Sequence, residues 1–237
     1  TDGSGNATVN LGWEPQYFMV KPVTTGAWDI TDTSRGMSQT SDKTLRANVA
    51  NAEADWGTSA TKPTATGFTV SGSYIGASTA YIYLAIRRSN KPPTVGTQVY
   101  NSALRTGNNA ASIINGLGFS PDLSIVKARV SGYDTEWFDR LRGATKAITS
   151  ASSVAESTMA AFSTFNQDGV SFAADNIGHV NTNAVSYINH FFKRAPGVFD
   201  VVCYTGTGVA KTEAHNLGVV PELMIVKGRS GTGVARW

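Results

Sequence analysis

The chain has 237 residues, and 20 Lys and Arg stand against 17 Asp and Glu, for a formal charge of +3. The basic residues are scattered, with no run longer than Arg87-Arg88 or Lys193-Arg194, so the clustered basic stripe of a nucleic-acid binder is missing. Cys203 is the only cysteine, which excludes an intrachain disulfide and a cysteine-built zinc site, and no apolar run approaches the length of a membrane span.

The 24 glycines, with many Ser, Thr and Asn, favour short strands and tight turns over long helices. In chain order, the first organised element is the box Leu11-Gly12-Trp13-Glu14-Pro15-Gln16-Tyr17-Phe18-Met19-Val20-Lys21. It returns as Leu117-Gly118-Phe119-Ser120-Pro121-Asp122-Leu123-Ser124-Ile125-Val126-Lys127, 106 residues later counted at the glycine. A third box, Leu217-Gly218 to Ile225-Val226-Lys227, follows after 100 residues more. Tyr81 to Arg88 aligns with Tyr187 to Arg194 at the same offset of 106. Between them Arg35-Gly36 matches Arg142-Gly143, and Gly67-Phe68 matches Gly169-Val170. Matches in a constant order over a long period are the mark of a repeat.

The expected fold is all-β: tandem β-sandwich repeats, of jelly-roll or concanavalin-like form, of about 100 residues each. The repeats are assigned to residues 1–92, 93–195 and 196–237, with the first truncated at its start and the third at its end. The joints fall at Lys91-Pro92-Pro93 and Ala195-Pro196-Gly197, where proline stops a strand and stiffens a linker.

In the second copy strands are predicted near Gln98–Ala103, Ser112–Leu117, Asp122–Arg129, Glu136–Leu141, Lys146–Ser150, Val170–Ala173 and Ala184–Lys193. Ser153-Val154-Ala155-Glu156 has capping-box spacing, so a short helix is predicted to run from there to Phe162. Asn166 to Gly169 carries turn chemistry.

The boxes, together with Trp137-Phe138-Asp139-Arg140-Leu141-Arg142-Gly143 and Phe199-Asp200-Val201-Val202-Cys203-Tyr204, resemble a repeated concanavalin-like β-sandwich domain of tail, fibre and other structural proteins of tailed bacteriophages. The resemblance covers essentially the whole chain. It implies a structural or adhesion segment of a virion fibre or tail protein, located on the extracellular particle. It also implies assembly with other virion proteins and with copies of itself, three chains being favoured, and contact with host surface carbohydrate. A secreted lectin or glycan depolymerase is the alternative. No enzyme activity, cofactor, nucleic-acid partner or membrane insertion is expected.

Two groups of residues invite a role. Tyr133, Asp134, Glu136 and Trp137 put acids beside aromatic rings, the ingredients of a sugar site. Asp139 stands next to them. The second group is a structural polar cluster: Lys21, Lys127 and Lys227, at one place in each box, with Arg35, Arg142, Glu53, Glu156 and Asp139. Lys127 shares strand parity with Leu123 and Ile125 and is expected at the rim of the core. There a carboxylate is expected to pair with it: Asp139 or Glu156 in copy 2, and Asp29 or Glu53 for Lys21 in copy 1. His179, His190 and His215 form no metal-ligand pattern. His190, on the parity of Ile188 and Phe192, is expected to face the core.

Overall fold

A computed structural model describes residues 1–56, 61–71, 75–89, 91–130, 132–175 and 179–230. The chain divides into two compact units. One holds residues 1–91 with 141–143 and 200–216; the other holds 92–140, 144–199 and 217–237. The fold is all-β, and every strand pair is antiparallel.

The first unit contributes β1 (Ala7–Asn10), β2 (Pro15–Pro22), β3 (Asp29–Asp32), β4 (Lys43–Arg46), β5 (Ala54–Asp55), β6 (Thr61–Thr64), β7 (Gly67–Val70) and β8 (Tyr81–Arg87). They form a five-stranded sheet of order β5-β4-β3-β2-β8 and a three-stranded sheet of order β1-β7-β6. Phe18 and Val20 of the larger sheet meet Phe68 and Val70 of the smaller one in a single buried cluster. The rings of Phe18 and Phe68 lie 4.2 Å apart.

The second unit contributes β9 (Tyr100–Thr106), β10 (Ser112–Ile114), β11 (Leu123–Ala128), β12 (Thr135–Asp139), β13 (Lys146–Thr149), β14 (Ser157–Thr158), β15 (Phe162–Phe165), β16 (Val170–Phe172) and β17 (Ser186–Phe192). The larger sheet runs β14-β13-β12-β11-β17-β9 and the smaller β10-β16-β15. Val126, Phe138, Ala147, Tyr187 and Phe191 from the first meet Phe162, Phe165, Val170 and Phe172 from the second. Two layers closed over one apolar core make a sandwich-like unit.

The two units share their strand order, with β9 as the extra strand of the second. Individual backbone bonds recur as well. Val23 N donates to Ala80 O at 3.0 Å, and Arg129 N to Ser186 O at 2.8 Å. Thr33 N donates to Gln16 O at 3.0 Å, and Arg140 N to Asp122 O at 2.8 Å. Gly12, Gly118 and Gly218 all take positive φ, at 75°, 80° and 72°, a conformation costly for any residue with a Cβ. At Gly67 a Cβ would lie 1.9 Å from Val9 O, and at Gly169 the same distance from Ile114 O. Glycine is required there because the smaller sheet's first strand passes against it.

Three expectations need correction. The helix over Ser153 to Phe162 does not form. Its residues enter β14 and β15 instead, with Met159, Ala161, Phe162 and Phe165 in the core. A helix cap contributes about 1 kcal/mol, whereas full burial of one large apolar side chain contributes roughly 1.5–3 kcal/mol, so the ladder prevails. Second, the inward face of β11 carries Ser124, Val126 and Ala128, not Leu123, Ile125 and Lys127. Both alternating sets contain apolar residues, so hydrophobicity alone does not select one. Third, β17 buries Tyr187, Asn189 and Phe191, leaving His190 on the opposite face. There its Nδ1 lies 2.9 Å from the Tyr100 hydroxyl. Residues 217–227 pair with no strand among the described residues. Val220, Leu223 and Met224 are strongly exposed there.

Phe162 is fully buried and stacks on Phe138 at 4.3 Å, joining the two layers of the second unit. Phe162→Ala is expected to destabilise that unit by about 3–5 kcal/mol. Calorimetry of the full chain should show one transition moved to lower temperature and the other in place. A single transition that moves as a whole would show that the units do not unfold separately.

Candidate functional site

Glu136 is the most distinctive ionisable residue of the second unit. It lies on β12, one residue from Trp137, and neighbouring strand residues point to opposite faces. Glu136 therefore turns inward with Phe138 and is fully buried. The register sets it opposite Thr149 of β13. The Thr149 hydroxyl reaches both carboxylate oxygens, at 3.0 and 2.8 Å. His179 Nδ1 stands 3.2 Å from Oε1. Burial raises the Glu136 pKa above its ordinary 4.5. The Thr149 hydrogen bond and the His179 ring oppose that rise, and the nearby Asp134 charge adds to it. A buried carboxylate held by a hydroxyl and an imidazole can retain a proton above the usual carboxylate range.

The residues expected to form a sugar platform are not gathered around this carboxylate. Trp137 lies on the other face of the sheet, in one cross-strand row with Ile125 and Ile148. Tyr133 packs against the apolar core. Asp134 is exposed. The alternation of the strand separates Trp137 from Glu136, although they are adjacent in sequence. His179 is the partner that sequence reasoning missed. It comes from a loop 43 residues away, and no local spacing announces it.

The expected polar cluster is also rearranged. The Lys127 ammonium is held by the Tyr133 carbonyl, not by Asp139 or Glu156. Lys21 donates to Pro22 O at 3.0 Å and Thr24 O at 3.1 Å, and lies 5.8 Å from the Trp28 ring centre. Lys227 donates to Ser152 O at 2.9 Å. Since β2 and β11 turn their lysines away from the core, loop carbonyls at the strand ends satisfy them without a buried charge. Asp29 pairs with Arg46 at 3.0 Å and Glu156 with Arg229 at 2.8 Å. Arg35 does lie against Glu53 at 3.3 Å, but its closer partner is Asp32 at 2.6 Å. Asp139 and Arg142 are buried.

The remaining polar knots are structural in form. Asn181 is fully buried. Its oxygen accepts from Arg105 Nη1 at 2.8 Å, and its amide donates to Ala110 O and Ala173 O, each at 2.8 Å. Arg105 lies 3.7 Å from the Phe172 ring centre. Burial pushes its guanidinium down to about 10, against the pull of Tyr187 and Asp175. In the first unit Asp42 accepts from the Thr31 hydroxyl and from Thr61 N at 2.9 Å. Burial raises its pKa. No cluster of metal-ligating side chains occurs among the described residues, and no helix there is long and apolar enough to cross a membrane.

Residues 96–237 match the family model described as a domain of unknown function, DUF7483. The chain belongs to this family. No curated protein and no solved structure matches it. The match takes in the whole Glu136 site, so the carboxylate, its threonine and its histidine all lie within the family's domain.

The raised Glu136 pKa has a definite sign. As pH rises past 4.5 the unfolded chain releases the proton first, while the native chain still holds it. Stability is thus fullest below that pH and falls as pH climbs through the raised value. Glu136→Gln should remove this fall. Thermal unfolding of both proteins from mildly acid to neutral pH reads it. Parallel curves for the second unit's transition would show that Glu136 titrates normally.

Proposed function

We propose that this chain is a structural or adhesion segment of a bacteriophage virion fibre or tail protein, built from tandem jelly-roll or concanavalin-like β-sandwich repeats. One observation carries the reading. Two units with the same order of corresponding strands, β9 apart, with recurring backbone bonds and matching glycines, lie in one chain. An array of this kind uses each copy as a building unit, and its polar residues hold the unit together. The polar groups described above fit that use. Lys21 and Lys127 tie loop carbonyls, and Asn181 ties β9 to neighbouring loops. The third box, from Leu217, stands as the start of a further copy.

The same reading takes the chain to assemble with copies of itself, three around a fibre axis, and with other virion proteins. Host surface glycan is its proposed target. The separation of Trp137 from Glu136 leaves that contact without assigned residues.

Particles of a phage that encodes this chain, labelled with antibody raised against it, should carry the label on the tail or fibres in electron micrographs. Unlabelled particles, with the protein free in the culture fluid, would sink the proposal and favour a secreted lectin or depolymerase.

A further inference from the structure

The two units place a carboxylate at the same point of the larger sheet and partner it differently. In the first, Asp29 stands opposite Val20 on one side and Arg46 on the other. Arg46 Nε lies 3.0 Å from Asp29 Oδ1, and a guanidinium keeps its charge at any ordinary pH. In the second, Glu136 stands opposite Val126 and Thr149. A neutral hydroxyl thus takes the place of the arginine, and the facing group is His179, 3.2 Å away. An imidazole is the side chain that changes charge near neutral pH. The Glu136 side chain is fully buried, while that of His179 is 34% exposed, so solvent protons reach the pair from the histidine side.

His179 adjoins an anchor in the core. Val180 and Asn181 are both fully buried. Their backbone N–H groups donate to Asp175 Oδ2 at 2.6 and 2.7 Å. The Val180 carbonyl accepts from the Arg105 guanidinium. The ring of His179 therefore ties this anchor, just ahead of β17, to β12.

We propose that Glu136 and His179 form a proton-operated latch that holds Val180 and Asn181 against the large sheet, closed in mild acid and loosened as pH rises. In mild acid the carboxyl is either neutral or faced by an imidazolium, so no buried charge stands alone. As pH rises both groups lose their protons. A fully buried anion is then left with a neutral ring and one hydroxyl, and Asp134 on its own strand adds charge of the same sign. β11 and β13 present only Val126 and Thr149 to it across the ladder. An uncompensated buried charge is costly, and release of the His179 ring lets water reach it. Burial raises the Glu136 pKa, which has the same sign: the closed form binds the proton more tightly, so its advantage is full in acid and is lost as pH climbs.

Protection of the Val180 and Asn181 amides against hydrogen exchange, corrected for the intrinsic effect of pH, reads the opening. The full chain is compared with Glu136→Gln, His179→Gln and the double variant at mildly acid and mildly alkaline pH. Protection in the unaltered chain should fall several-fold from the first condition to the second. The coupling between the two positions in this cycle should be several-fold in acid and vanish in alkali. Coupling of one size at both, or none at either, would overturn the proposal. Thr149→Arg gives Glu136 the permanent cation that Asp29 has, and should make protection level across the range. A fall as steep as that of the unaltered chain would count against the latch. Should a variant not fold, nuclear magnetic resonance of the unaltered chain decides. The His179 ring signals and the Val180 and Asn181 amide signals should shift over one pH range, and amides that stay still while the ring titrates would overturn the proposal.

Discussion

The packing of aromatic rings between two small sheets is the interaction on which each unit depends. In the first unit Phe18 reaches across to Phe68 at 4.2 Å. In the second Phe138 stacks on Phe162 at 4.3 Å, and Phe162 also meets Phe165 and Phe172. A three-stranded sheet has little stability alone. It persists because its inward side chains complete the core of the larger sheet. The strand order, the tight approach at Gly67 and Gly169, and the placement of Glu136 all follow from bringing these layers together.

Core closure also explains where the polar chemistry sits. Glu136 occupies an inward position on β12, and its charge would be uncompensated without Thr149 and His179. Asn181 and Arg105 occupy the corner between β9 and the loop before β17, and their hydrogen bonds satisfy backbone groups that no strand reaches. Such networks favour one packing, because a buried donor or acceptor that loses its partner is costly. The outward lysines solve the same problem more cheaply, with a loop carbonyl and access to water.

The edge strands set the remaining constraint. The second unit covers β17 with β9, and the first leaves β8 open with four large side chains about half exposed.

Much of this protein was legible in its sequence. The spacing of Gly12, Gly118 and Gly218 disclosed the period, and all three glycines take a left-handed φ, which costs least at glycine. Pro121 marked a strand start because it lacks a backbone donor, and Asn166 to Gly169 marked a turn by their composition. Seven strands of the second unit lie within a few residues of their predicted places, whereas β14 falls where a helix was predicted and β15 was not foreseen. Facing was another matter. Leu123, Ile125 and Lys127 and the alternative set Ser124, Val126 and Ala128 are both acceptable inward faces by composition, and only contact with Phe162 and Phe172 selects the second. That choice turned Lys127 and His190 away from the core and separated Trp137 from Glu136. The pairing of Glu136 with His179 required the fold as well, because residues 43 positions apart meet only when the sheet is assembled. Local conformational preference is written residue by residue; which face is buried depends on what lies across from it.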